Sequence, residues 1–391
     1  MENHARWLAL GLVERGHQVI ALTTARPGGS SGLEEDPFPT WFLPAPATRY
    51  SGAWWRESAA AFARLHAQAP FDLVWSQSAA AIGYLAEAYP SFGVPCVAIM
   101  HGSLRGEFHR RTFGLPSPRS LALLALYLPE AARFTYLWRR YGPRLAAAIV
   151  PSPELAEDNR HELHLPPERM AIIPLGVDLA RFSPDPAAGA ALRERLHIPS
   201  TAPVLLVVGR LSRQKGVHVA LAALQRLSGQ RPVPFLLVAG QGREAAQLQR
   251  TAERAGLTGQ VRFLGQVPHD ELPSCYNAAD ICLFPWLGWE AFPISILEAL
   301  ACGRPVIASR IGSAPSILGR VNGGLLVPPG DARALAEAVG RLLSVPPAER
   351  RAIGQAARRL AETEFSLQTM VERTEAVFAS CLRREGMPCR W

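Results

Sequence analysis

VLLVVGRLSRQKGVHVALAAL, residues 204–224, decides the fold. A β-branched apolar run, Val204 to Val208, gives way at Gly209 to a basic turn and then to apolar residues at Val219, Leu221, Ala222 and Leu224, which is helical spacing. Strand, glycine turn and helix start form the repeating unit of a doubly wound α/β sheet, whose ligands lie at strand C-terminal ends. A turn of this kind also gathers free backbone N–H groups at a helix N-terminus, where anions bind.

The same unit repeats in both directions. Downstream, PFLLVAG, VRFLG, ADICLFP, RPVIAS and GLLVPPG each precede a helix-compatible segment. Upstream, strands are expected near Gln18 to Leu22, Asp72 to Trp75, Pro95 to Met100, Ala147 to Val150 and Met170 to Ile173. At 391 residues the chain suits two domains better than one core. The Pro-, Ala- and Gly-rich stretch from Phe182 to Ala190 interrupts the alternation and reads as the link between them. The expected division is 1–185, 186–365 and a C-terminal helix, 366–391, packing back towards the first domain. The residues from Pro346 to Arg384 are helical in composition and are expected to pack outside the second sheet.

Composition narrows the function classes. With 48% hydrophobic and 19% charged residues the chain is that of a folded globular protein, and its longest apolar run, near Leu121 to Leu128, is too short to span a membrane. The N-terminal residues carry no secretion-signal pattern, and a cytoplasmic location follows as the expectation, with the inner membrane face as a place of contact. The cysteines (Cys96, Cys275, Cys282, Cys302, Cys381, Cys389) lack zinc-site spacing and read as free thiols; neither metal nor cofactor is called for. A net charge of +8 favours anionic partners, but the arginines form no long basic block, which argues against nucleic acid.

Among the 41 basic residues there is one lysine, Lys215, in the turn after the first quoted strand. With Arg210 it adds two mobile cations to the N–H groups of that turn, the combination a diphosphate needs as charge develops on a departing phosphate. Gly240 and Gly242, in AGQGREAAQL, form a second such turn, which is equally simple turn chemistry. GWEAFPISILEALACGRPVIAS, residues 288–309, places Glu290 in a loop, Phe292, Pro293 and Ile294 at a helix start, and Glu298 in the second turn. Taken alone, Glu298 reads as a solvated helix-face residue and Glu290 as a capping one. Beside a phosphate loop, two carboxylates at different levels suit the hydroxyls of ribose and hexose.

These segments together resemble family 4 of the retaining glycosyltransferases, which have two Rossmann-like domains in the GT-B arrangement. GRLSRQKG is similar to that family's G-R-x-x-x-x-K-G donor loop, and Glu290 and Glu298 match its E-x7-E motif. RGHQVIALTT, IIPLGVDLARF, RFLGQVPHDELPSCYNAADICLFP and GGLLVPPGD extend the likeness over nearly the whole chain. The resemblance implies that Arg210 and Lys215 hold the donor diphosphate; Gly209, Gly240 and Gly242 are donor-binding candidates that allow close backbone approach. It further implies that Glu290 faces the transferred sugar, that Glu298 faces the ribose, and that His101 projects near the reacting sugar; Phe292, Pro293 and Ile294, beside Glu290, are further donor-binding candidates. His101, Arg210, Lys215 and Glu290 are thus the catalytic candidates. The implied activity is metal-independent transfer, with retention, from a UDP- or GDP-sugar to a sugar, lipid-linked or small-molecule acceptor.

Departures from the family pattern are Pro293 in place of a glycine, Ser316 in place of a glutamate and Leu175 in place of an asparagine. The family opens with a strand and a Gly-Gly loop, and ENHARWLALGLVERGHQV resembles the helix that follows them, so a missing first strand is expected. A nucleotide-sugar-binding protein with little catalysis, or a nucleotide-sugar epimerase, are the alternatives. Residues 104–144, leucine-rich with arginines and aromatics, read either as a helix on the first sheet or as a surface for an anionic membrane.

Overall fold

The structure, a computed structural model, describes residues 2–25, 32–34, 37–44, 52–112, 118–229, 232–321 and 324–384. The chain forms two compact units, one from residues 1–105, 116–175 and 367–391, the other from 106–115 and 176–366.

In the first unit β1 (Ala21–Thr23), β2 (Gly32–Glu34) and β3 (Thr40–Phe42) make a three-stranded sheet of order β1-β3-β2, with β2 antiparallel to β3. β4 (Val74–Gln77), β5 (Cys96–Ile99), β6 (Ala147–Val150) and β7 (Met170–Ile172) make a parallel sheet in that order. The sequence signals every one of these strands except β2 and β3, which have three residues each and no alternation. β5 and β6 are buried throughout, as parallel strands covered on both faces must be. Their Val97, Ile99, Ala147 and Ile149 pack with Leu8 and Leu12 of the helix Glu2–Glu14 and with Met370, Val371 and Phe378 of the helix Leu367–Arg384. That last helix therefore covers the first unit, not the second sheet. Its Glu375 accepts hydrogen bonds from Arg15 Nε at 2.6 Å and pairs with His17 Nε2 at 2.8 Å.

The second unit holds one six-stranded parallel sheet of order β10-β9-β8-β11-β12-β13. The strands are β8 (Val204–Val208), β9 (Phe235–Ala239), β10 (Val261–Gly265), β11 (Ile281–Phe284), β12 (Val306–Ser309) and β13 (Leu325–Val327). All six coincide with apolar runs in the sequence. The winding runs outward from β8 to β10, then returns to place β11 on the other side of β8. Strand order thus reverses between β8 and β11, and the loops after those two strands flank the switch point where α/β sheets bind ligands.

The stretch read as a link lies within the second unit and carries a helix start. Residues 186–195 form a helix whose N-cap, Asp185, accepts from Ala188 N at 2.9 Å, with Pro186 at the first turn. The composition that suggested a linker is that of a capped, Ala-rich helix. The helix Pro347–Glu364 packs on the helix Ile294–Ala301, and its Arg358 donates to Phe182 O at 2.7 Å and Ala301 O at 2.8 Å. Among the described residues no helix is long and apolar enough to cross a membrane.

Candidate functional site

The loop after β8 is fixed at both ends by backbone geometry. Gly209 N donates to Ala239 O at 2.9 Å and Leu211 N to Gln241 O at 2.8 Å, tying this loop to the one after β9. A short 3₁₀ turn, Arg213–Lys215, leads into Gly216, the N-cap of the helix Val217–Arg226. Gly216 has φ of 67°, and a Cβ there would lie 1.8 Å from Pro285 O, so only glycine lets the helix start against the β11 loop. The first N–H groups of this helix have no intrahelical acceptor. Arg210 is exposed.

Gly240 and Gly242 resolve differently from the simple turn reading. A Cβ on Gly240 would meet Gly209 O at 1.9 Å, and one on Gly242 would meet Leu211 O at 2.2 Å. These glycines let the loops after β8 and β9 stack. Beside them opens a cavity of about 450 Å³, walled by Gln241, Phe263 and Leu264 among others.

The loop after β11 is bound to the first by its own amides: Leu287 N donates to Gln214 O at 2.7 Å. From the other side Ser313 N reaches Glu290 O at 3.3 Å, and the Ser313 hydroxyl bonds Ala291 O. Held between these supports, the Glu290 carboxylate lies 2.8 Å from Lys215 Nζ, and Lys215 Nζ sits over the Trp286 ring, 5.2 Å from its centroid. Trp286 is 1% exposed, so the chain's one lysine rests on a fixed aromatic face. The structure therefore brings Lys215 and Glu290 into contact at the switch point. Sequence reading missed Trp286, although its place directly after a strand end was a signal.

Pro293 is the N-cap of the helix Ile294–Ala301, one position before the expected first turn, and its carbonyl accepts from Ile296 N at 3.1 Å. As a proline it carries no N–H, while Phe292 just before it packs against the core of the second unit. Glu298 is no solvated helix residue: it is 6% exposed. Tyr276 donates its hydroxyl to Glu298 Oε2 at 2.7 Å, and His269 Nε2 stands 3.3 Å from Oε1. Burial, and next the Glu298 charge, push the Tyr276 hydroxyl well above its usual pKa, so it stays a donor. Ser316 lies in the helix Ala314–Leu318 and donates to Ser313 O at 3.0 Å, and Leu175 is buried.

His101 belongs to the first unit, just past the end of β5. Its Nε2 bonds Gln77 Oε1 and its backbone N–H donates to Ser78 Oγ at 3.4 Å, with Ser78 at φ of 49°. The His4 ring meets it edge-on at 4.9 Å. Burial first, then the His4 charge, lower the pKa of His101 to about 3, and burial lowers that of His4 to about 4. Both rings are neutral near pH 7, and the Gln77 acceptor places the His101 proton on Nε2.

Comparison with known proteins bears on the whole chain. The family model "Glycosyltransferase Family 4" matches residues 1–181 and "Glycosyl transferases group 1" matches residues 190–360. The chain is 31% identical over 287 residues to a GDP-mannose-dependent alpha-(1-6)-phosphatidylinositol monomannoside mannosyltransferase of Mycobacterium tuberculosis, covering 72% of this chain and 69% of that one. It is 39% identical over 183 residues to a D-inositol 3-phosphate glycosyltransferase of Corynebacterium urealyticum, covering 45% of this chain and 43% of the relative. The chain spans about half the length of the first curated relatives it matches. A sucrose-phosphate synthase of Thermosynechococcus elongatus shares the fold with a TM-score of 0.78 at 24% identity, over 97% of this chain and 93% of the other. Two Rossmann-like units, the two family models and the long match to the mycobacterial relative lead to one conclusion: the chain belongs to the GT-B glycosyltransferases of family 4 and group 1.

Proposed function

We propose that the chain transfers a hexose, with retention of anomeric configuration, from a UDP- or GDP-sugar to a hydroxyl acceptor. The observation that carries the reading is the Lys215–Glu290 contact at the switch point of the second sheet. An ammonium and a carboxylate side by side present a cation to a phosphate and an acceptor to a neighbouring sugar hydroxyl, which is the junction at which transfer breaks the donor. As the bond from the sugar to the diphosphate lengthens, negative charge grows on phosphate oxygens. Arg210, Lys215 and the N-terminus of the helix Val217–Arg226 stabilise that charge; Gly209, Gly240 and Gly242 give it close backbone approach. Phe292, Pro293 and Ile294 shape the sugar side, Glu298 accepts from the ribose, and the cavity at Phe263 takes the base. In the first unit, His101 offers its neutral ring for the reacting sugar.

The acceptor is a sugar, a lipid-linked or a small-molecule hydroxyl, in keeping with the inositol-bearing acceptors in the relatives' names. Contact with an anionic membrane on its cytoplasmic face is part of the proposal. Leu128 and Tyr136, 54% and 58% exposed, stand on the same helix as Arg139 and Arg140; residues 113–117 of that stretch lie outside the described ones. Acidic-lipid vesicles should pellet the protein and neutral ones should not; equal pelleting removes the membrane clause. For the activity, Lys215→Ala should lower turnover of UDP-glucose or GDP-mannose about 10²- to 10³-fold, the cost of removing one donor aimed at developing charge. Turnover unchanged in the purified variant would refute the assignment.

A further inference from the structure

Glu298 is held by a chain of side chains that the donor-loop motifs do not include. Asp178 Oδ1 accepts the N–H groups of Ala180 and Arg181, both at 3.0 Å, and so fixes the turn that carries Arg181. Arg181 Nη1 lies 2.8 Å from His269 Nδ1. A guanidinium has donors only, so Nδ1 must be the acceptor and the imidazole proton must sit on Nε2. Nε2–H then donates to Glu298 Oε1 at 3.3 Å, while Tyr276 holds Oε2 at 2.7 Å. The Phe182 ring, 1% exposed, stands edge-on to both His269 and Tyr276, at 5.3 and 5.9 Å, and keeps the two donors in place.

We propose that His269, its tautomer set by Arg181, is a positioning residue for Glu298 and thereby sets how strongly the site distinguishes a ribose from a sugar lacking its hydroxyls. A carboxylate has about four lone-pair sites. His269 and Tyr276 take one on each oxygen, which fixes the carboxylate plane and leaves one site on each for two neighbouring hydroxyls. Without the imidazole donor the carboxylate rotates about its last bond, and the paired geometry that reads two hydroxyls at once is lost. The inference rests on the reading of Glu298 as the ribose acceptor, and its test separates the two.

Calorimetry would measure Kd for UDP and GDP and, for whichever binds, for its 2′,3′-dideoxy counterpart. The wild type is expected to prefer the ribonucleotide by at least about tenfold, the worth of hydrogen bonds to a charged acceptor. His269→Leu should shrink that preference about fivefold and leave the dideoxy Kd within about twofold of the wild type, a pattern that loss of folding cannot produce. His269→Gln, which returns an N–H near the Nε2 position, should restore most of the preference. Should the leucine variant fail to fold, Arg181→Gln is the substitute, with a preference lowered about two- to threefold. If Glu298→Gln loses the preference while the His269 or Arg181 variant keeps it whole, the positioning role is overturned and the ribose reading stands. A wild type that shows no preference overturns the ribose reading, and the inference with it.

Discussion

The six-stranded sheet of the second unit and the three-stranded sheet of the first use the same backbone ladder to different depths. In the former, β11 and β12 are buried at every residue and β8 and β9 at all but one. In the latter, no residue of β1, β2 or β3 is fully buried, and Leu33 is 41% exposed. The contrast teaches where this chain holds its candidate site residues. Strands sealed on both faces fix the loops at their ends, and those loops carry Lys215 and Glu290, with Glu298 on the helix that follows; short half-exposed strands fix little beyond themselves.

The comparison breaks first, and with the largest effect, at Gly216. Gly216→Val would force a β-branched residue to φ of 67° against Pro285 O, and should destabilise the protein by about 4 kcal/mol in urea unfolding. A mild loss there would mean the two loops are free to part. Next is the sealed sheet itself: Leu237→Ala removes a fully buried side chain of β9 and should cost about 3 kcal/mol by the same measurement.

Acid sharpens the contrast from the side of the first unit. His4 and His101 have folded pKa values of about 4 and about 3 against 6.5 in the unfolded chain, so the unfolded state takes up protons first. The stability they confer as neutral rings is whole above pH 6.5 and is lost as the pH falls through the window below it. Between neutrality and pH 5 the loss should approach about 2 kcal/mol for each ring. Denaturation at a series of pH values should give a slope that His101→Gln flattens; an unchanged slope would show that the pair does not stay neutral in the fold. The smallest effect belongs to Leu33→Ala in β2, expected within about 0.5 kcal/mol of the wild type.

The same contrast explains what could be read before the structure. Continuous apolar runs such as VLLVV and FLLVA announced β8, β9, β11 and β12 because burial on both faces leaves no polar positions. β2 and β3 escaped notice because three half-exposed residues carry no period. The helix at 186–195 went unread within the stretch taken as a link because Pro, Ala and Gly serve both linkers and capped helices, and only the Asp185 side chain on Ala188 N marks its start. Gly209, Arg210, Lys215, Glu290 and Glu298 were legible because their spacing lies within single loops and a helix start. Trp286 beneath Lys215 carried a signal that went unused, whereas His269 and Arg181 behind Glu298 were not legible, since they lie 88 positions apart and meet only through the fold.

The most direct measurement is calorimetric titration of UDP and GDP into the wild type and into Lys215→Met, which keeps the length of the side chain and removes its charge. A diphosphate held by Lys215 on the Trp286 face predicts that one of the two nucleotides binds the wild type and that the variant binds it about ten- to a hundredfold more weakly, the range for a charge-assisted contact. Equal affinity in the two proteins, or no binding of either nucleotide to the wild type, would contradict it.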